Sequence, residues 1–217
     1  MKIKYLVLLI FLFFIFSANQ IRASMRFPLQ GKVVVIDSGH GGLDSGTSAG
    51  GILEKDINLA IALKLEEELS SLGAMVILTR DGDYDLATPK AIWRKQSDFD
   101  NRIKIINNDK VDLYLSIHLN YLEKAEYSGP QIFYNENKKQ NKLLAEIIQK
   151  TFNENLNEKR EIKLIPSNTY MYKKLLTPGV LIECGFLSNY NERKKLITDE
   201  YQQKIARLIV KALEKVL

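Results

Sequence analysis

VVVIDSGHGGLDSGTSAGGILEKD, residues Val33 to Asp56, decides how this chain folds. It opens with four β-branched residues, Val33 to Ile36, which read as a buried strand. Asp37 ends the apolar run. Six of the fourteen residues from Ser38 to Gly51 are glycine, and a Gly-rich stretch after a buried strand is a loop at the edge of a sheet. That loop carries His40, one of two histidines in the chain. Glu54 follows at the start of an amphipathic helix. A histidine and a carboxylate at one strand-to-helix edge can converge on a metal ion.

Outward from this stretch the pattern alternates. Lys32–Asp37 is the first expected strand. A helix is expected from about Lys55 to Leu72, with Ile57, Ile61, Leu65 and Leu69 spaced by four and Gly73 as its stop. Ala74–Arg80 is a second strand, and Asp81–Lys95 a polar connection. Ser97 or Asp98 is expected to cap a helix running through Phe99, Ile103 and Ile106. Val111–Leu119 and Gly129–Tyr134 are further strands, followed by a helix over residues 141–156. Asn168–Tyr172 is expected as a short strand and Gly179–Gly185 as a longer one. Ile205, Leu208, Ile209, Ala212, Leu213 and Val216 mark an amphipathic closing helix. Strands alternating with helices predict an α/β fold: a single three-layer domain, its central mixed, largely parallel sheet covered by helices on both faces.

The chain begins MKIKYLVLLIFLFFIFSANQIRAS. Lys2 and Lys4 precede a charge-free apolar run from Tyr5 to Phe16, and Ala23 stands at a plausible cleavage point. This is the pattern of a signal peptide. The run is short for a membrane-spanning helix, which needs about 20 residues. Ile21 meets the small-x-small rule poorly, so an uncleaved membrane anchor stays open beside cleavage. Residues 1–23 are read as signal peptide or anchor and residues 24–217 as one domain facing outside the cytoplasm, in contact with the membrane only through the N-terminal segment if it is retained. Without Lys2, Lys4 and Arg22, the 31 basic residues become 28 against 26 acidic. A nearly balanced domain carries no nucleic-acid footprint. The single cysteine, Cys184, excludes an intrachain disulfide.

His118 closes the strand in LSIHLN, and His40 lies just past the end of the first strand. In open α/β sheets, sites form beyond the carboxyl ends of strands. Both histidines can therefore share one rim. Imidazoles and a carboxylate suit zinc, and a catalytic zinc keeps three protein ligands and an open position. His40, Glu54 and His118 form such a set, although their spacing matches no compact zinc motif. The alternatives are histidines satisfied by rim hydrogen bonds, and Glu54 as a partner of the helix dipole. Glu183 sits inside the apolar strand VLIECGF, where an unpaired carboxylate is costly to bury. It shares a face with Leu181, while Ile182 and Cys184 point the other way. Glu183 thus needs a metal, a metal-bound water or a cation, the plain alternative being a structural ion pair. Cys184 reads as a buried thiol rather than a soft ligand. GHGGLDSG matches neither phosphate-loop pattern.

Four segments in this order, IDSGHGGLDSG, EKDINLA, LSIHLN and VLIECGFLSN, resemble the zinc-dependent N-acetylmuramoyl-L-alanine amidases of the type-3 family. The resemblance spans about residues 32 to 215. It implies a single α/β domain with zinc (Zn2+) bound by His40, Glu54 and His118, and Glu183 as the catalytic group. Two departures, Ser38 before GHGG and Cys184 in place of the usual valine or threonine, replace no ligand. The segments SGPQIFYNENKKQNKLLAEIIQ and YMYKKLLTPGVLIECGFLSN and the DLATP stretch are similar to the sporulation and germination-specific branch. That branch implies spore-cortex peptidoglycan as substrate, with stem peptides removed from muramic acid ahead of muramic lactam formation. Relatives with an autoinhibitory helix insert it after SIHxN. Here only Tyr121 to Ser128 separates that motif from GPQIFY, so the resemblance implies no self-plugging device and leaves an activating partner protein open.

The reaction so implied is amide hydrolysis, with zinc activating water and Glu183 moving the proton. Asn120, Arg102 and Tyr172 are candidate substrate contacts. One rival is a zinc carboxypeptidase-like peptidase on stem peptides, for which Arg80 or Arg102 would capture a terminal carboxylate. The other is a metal-free cell-wall binding module, which leaves Glu183 without a role.

Overall fold

The computed structural model describes residues 27–216, so the expected signal peptide or anchor lies outside the described residues. Strand β1 (Val33–Ser38) is followed by a two-residue hairpin, β2 (Ser48–Ala49) with β3 (Ile52–Leu53), and helix α1 (Glu54–Ser71). Then come β4 (Met75–Leu78), α2 (Arg94–Ile106), β5 (Leu113–Asn120), β6 (Gln131–Tyr134) and α3 (Lys139–Leu156). A short β7 (Lys163–Leu164), a 3₁₀ turn (Tyr172–Lys174), β8 (Gly179–Phe186), α4 (Tyr190–Leu196) and α5 (Asp199–Leu213) complete the order.

Six strands form one sheet in the order β4-β1-β5-β8-β6-β7. All pairings are parallel except β6 against β8. The chain leaves β1 for β4 on one side, and β5 takes the other. The strand order therefore reverses at β1, and a crevice opens beyond its carboxyl end.

The two faces of the sheet differ. Val34 and Ile36 of β1, Leu113, Leu115, Ile117 and Leu119 of β5, and Val180, Ile182 and Cys184 of β8 join one large core with α1, α3 and α5. Ile57, Ile61, Leu65 and Leu69 deliver the expected stripe of α1 into it. Each such fully buried aliphatic side chain contributes about 1.5–3 kcal/mol. The opposite face packs on α2 and the 170s segment through a smaller cluster, with Val35, Ile106, Tyr114, Met171 and Leu175. Toward the carboxyl ends that face turns polar: Asp37, Ser116, His118 and Glu183 occupy it.

Two expectations are corrected. Asn168–Tyr172 is not a strand. Thr169 N–H bonds back to Pro166 O at 2.9 Å and Lys173 N–H to Thr169 O at 3.1 Å, which turns the backbone. The edge strand is β7 instead. Nor does Ser97 or Asp98 cap α2, which begins at Arg94. Both serve the preceding loop: Ser97 Oγ accepts from Thr88 N–H at 2.9 Å and Asp98 Oδ1 from Leu86 N–H at 2.7 Å. The β2–β3 hairpin and α4 are further elements.

Candidate metal and catalytic site

His40 follows β1 in the left-handed region, at φ 61°, a conformation that costs a non-glycine residue energy unless its surroundings hold it. Two buried arginines do so by binding backbone carbonyls. Arg102 donates to Ser38 O at 2.7 Å and His40 O at 2.6 Å. Arg80 donates to Ser38 O, Gly39 O and Lys55 O at 3.0, 2.9 and 2.7 Å. The loop is thus tied to the first turn of α1, where Glu54 sits.

Glu54 is 3% exposed. Its Oε1 lies 3.2 Å from His40 Nε2 and 3.0 Å from His118 Nδ1. The same oxygen accepts from Leu119 N–H at 3.0 Å, and Oε2 accepts from Thr47 N–H at 2.9 Å. One ligand atom from each of His40, Glu54 and His118 lies within 4.8 Å of the others. The imidazoles meet edge to face, centroids 4.9 Å apart. Behind His40, Nδ1 pairs with Asp44 Oδ2 at 3.0 Å. A carboxylate behind a histidine fixes the tautomer that presents the other nitrogen.

Glycines make room for this convergence. The His118 ring lies against Gly39 so closely that any Cβ there would overlap it. A Cβ on Gly46, itself at φ +63°, would lie 2.6 Å from both Glu54 Oε2 and His40 Cδ2.

The charges call for a cation. Burial raises the Glu54 carboxyl, but the hydrogen bonds from His118 and His40 hold it well below the usual carboxylate range. Burial lowers the His40 imidazolium, yet Asp44 and Glu54 push it up to about 9. Two nitrogens and a carboxylate oxygen, held by second partners and cleared by glycines, fit a zinc-sized ion.

Glu183 pairs in register with His118 across β5–β8, so both side chains leave the same face. Its Oε2 is buried with no hydrogen-bond partner among the described residues. Burial, and then the charge of Glu54, push its carboxyl up to about 8. Positive charge added at the cluster would draw that value toward neutrality, the range in which a group can accept and return a proton. Cys184 points into the opposite core and is buried.

The other candidates fall into different roles. Arg80 and Arg102 are 1% and 2% exposed and occupied by the loop and by Asp37 and Asp98, so neither can meet a substrate carboxylate. Tyr172 is buried, its hydroxyl 3.0 Å from Ser116 Oγ. Asn120 is half-buried beside a register shift in β5. Sequence reasoning missed Asp44, four residues after His40, and the buried set Asp37, Thr79 and Ser116 beneath the loop. The Asp in GHGGLD was the available signal for the first.

A carboxyl-end crevice with a cluster that could hold a metal ion, beside a buried carboxylate, is an arrangement suited to a hydrolase of the α/β class. The chain belongs to the N-acetylmuramoyl-L-alanine amidase family, whose profile matches residues 34–215. Its activity is hydrolysis of the amide between N-acetylmuramic acid and L-alanine in peptidoglycan. It is similar to the germination-specific N-acetylmuramoyl-L-alanine amidase of Bacillus subtilis, 40% identical over 95% of this chain and 89% of that protein. The CwlD amidase of Clostridioides difficile, solved in complex with the GerS lipoprotein, superimposes with a TM-score of 0.80 at 40% identity, covering 85% of this chain and 97% of that one. The catalytic domain of CwlV from Bacillus (Paenibacillus) polymyxa gives 0.72 at 30% identity, covering 85% and 97%.

Proposed function

We propose that this amidase is zinc-dependent, with His40, Glu54 and His118 as the ligands and Glu183 as the general base and acid. The observation that carries the proposal is the convergence of three ligand atoms within 4.8 Å, with the unpartnered Glu183 on the same face of the sheet. Zinc bound there supplies Lewis-acid activation of water and of the scissile carbonyl. Glu183 Oε2 takes the proton from the attacking water and delivers it to the leaving amine of L-alanine. Asp44 keeps His40 Nε2 aimed at the cluster, and Leu119 and Thr47 N–H groups fix the Glu54 carboxylate. The buried state of Arg80 and Arg102 removes those two as carboxylate anchors for the carboxypeptidase-like alternative, and the products released separate the two readings.

The finer setting of the proposal is the spore cortex, where the enzyme removes stem peptides from muramic acid. The similarity to the germination-specific amidase supports it. Residues 24–217 act as an exported catalytic domain, delivered by the N-terminal apolar segment, since peptidoglycan lies outside the cytoplasmic membrane. A partner protein assists it, as the similarity to an amidase solved with a lipoprotein suggests. The test is zinc content of the purified protein together with mass spectrometry of digested peptidoglycan. Close to one zinc per chain and release of intact stem peptides are expected. A metal-free active enzyme, or release of single terminal amino acids, would overturn the reading.

A further inference from the structure

We propose that Lys95 selects the substrate by its charge, binding the free carboxylate on the residue that follows the scissile alanine. The inference rests on the amidase activity given above and goes beyond the bond that is cut.

Beside the metal cluster lies a cleft of about 260 Å³ lined by Leu43, Asp44, Asp85, Arg94, Lys95 and Asp98. Its acids are already compensated. Asp85 takes Arg94 in a two-point pair, both contacts 2.9 Å. Asp98 takes Arg102 Nε at 2.9 Å and Leu86 N–H at 2.7 Å. Asp44 takes His40 Nδ1 at 3.0 Å and Gly46 N–H at 3.1 Å. Lys95 reaches Asp44 Oδ2 at 3.3 Å, the oxygen His40 already uses, and its side chain stays 64% exposed. Among the described residues it is the cation lining this cleft that shares its acid with a histidine and keeps most of its side chain in solvent.

Lys95 Nζ stands two hydrogen-bond lengths from the His40 ring by way of Asp44 Oδ2. It also lies 5.8 Å from the Phe99 ring centroid, and Phe99 lines the second cleft with His40 and His118. Lys95 thus marks the junction of the two clefts. Lys174, bound to Tyr170 of the second cleft, is held by Tyr170 Oη and by Asp100, at 2.5 and 3.3 Å. Stem peptides are acidic: the glutamyl residue after L-alanine is linked through its side chain and leaves its α-carboxylate free. That carboxylate hangs from a Cα about one 3.8 Å step beyond alanine when the chain is counted as Cα units. An ammonium at the cleft junction meets it without disturbing the scissile bond.

The experiment compares two synthetic substrates, N-acetylmuramoyl-L-alanyl-γ-D-glutamyl-L-lysine amide with the glutamyl α-carboxylate free or as its amide. Full-length wild type, Lys95→Ala and Lys95→Arg are measured, with zinc content and melting temperature on each preparation. Wild type should favour the free acid roughly tenfold in kcat/KM, the scale of one charged hydrogen bond. Lys95→Ala should bring that ratio close to one, and Lys95→Arg should keep it. The peptide L-alanyl-γ-D-glutamyl-L-lysine amide should bind wild type more tightly than Lys95→Ala by calorimetry. An unchanged ratio in Lys95→Ala overturns the inference. So does loss of zinc in that variant, which would make Lys95 a support of the Asp44–His40 pair and not a substrate contact. If wild type cleaves neither substrate, the amidase reading or its missing partner is at fault, and equal binding of the peptide to wild type and Lys95→Ala by calorimetry then overturns the inference.

Discussion

Replacing Arg102 by leucine should destabilise the fold by about 3–5 kcal/mol, the range for removing one partner of a buried ion pair. Arg102 is 2% exposed and Asp37 1%. The guanidinium donates to Asp37 Oδ1 at 2.7 Å and to Asp98 Oδ2 at 2.9 Å, besides holding the carbonyls of Ser38 and His40. Without it, Asp37 keeps only the hydroxyls of Thr79 and Ser116, at 3.0 and 2.7 Å. At a urea m-value of about 2 kcal/mol/M, the midpoint should fall by roughly 2 M. The pH dependence tests the cause. Burial raises the Asp37 carboxyl, but the Arg102 charge and the Ser116 hydrogen bond hold it below the ordinary range. A carboxyl depressed in the folded state contributes stability in full above its unfolded pKa of about 3.9, and that stability is lost as pH falls through the folded value. In Arg102→Leu the main opposition to burial is gone and the hydroxyl hydrogen bonds offset only part of it, so the carboxyl rises and protonation relieves the variant. The difference between the two proteins should therefore be largest at neutral pH and shrink as pH is lowered toward about 4. Arg102→Lys, which keeps the charge but not the forked donors, should fall between them. A pH-independent difference below about 1 kcal/mol, the scale of an exposed pair, would refute the reasoning.

Gly46→Ala should fold yet bind zinc far more weakly, because the added methyl lies 2.6 Å from both Glu54 Oε2 and His40 Cδ2; zinc affinity equal to wild type would show that the glycine cradle is unnecessary. Glu183→Gln should keep zinc while losing about 10²–10⁴ in turnover, the usual contribution of a general base; zinc content and stem-peptide release on one preparation decide it, and loss of metal would make Glu183 a ligand. Shortening the exposed loop Tyr121–Ser128 should not activate the enzyme, since it holds no helix that could cover the site; a large rise in peptide release would contradict this.

The readable parts of the chain were those with a period or a chemical cost. Val33–Ile36 and the four-residue spacing of Ile57 to Leu69 gave β1 and α1. Glu183 stood out because a carboxylate in an apolar strand demands an explanation, and His118 and His40 because strand ends converge on one rim. The carbonyl clamps were illegible. Arg102 and His40 are 62 positions apart, and a side-chain-to-backbone bond of that span leaves no periodic trace. Arg80 and Arg102 therefore stayed open as cations for a substrate carboxylate. Ser97 and Asp98 misled for a related reason. Residues that cap helices also cap loops, and here the loop at Leu86–Thr88 took both side chains. Asn168–Tyr172 read as a strand, but Asn137 Nδ2 bonds the carbonyls of Tyr172 and Leu175 at 3.2 and 3.0 Å and stabilises a turn.

The sheet separates stability from chemistry by the alternation of its strands. Along β5, Leu113, Leu115, Ile117 and Leu119 enter the core under α1, α3 and α5, while Ser116 and His118 leave the other face. The large core supplies the folding free energy without any charged group. The opposite face can then hold the Asp37–Arg102–Asp98 pairing, which is a weak source of net stability because desolvation offsets the attraction. What that pairing supplies is geometry. One guanidinium carries its charge pairs and two loop carbonyls at once, and the second carbonyl belongs to His40 in its left-handed conformation. Replacing the pairing with apolar side chains could match its contribution to folding, yet it would release the histidine. On this argument the buried charges are retained for the position of His40, and their removal should weaken metal binding even where stability is restored elsewhere.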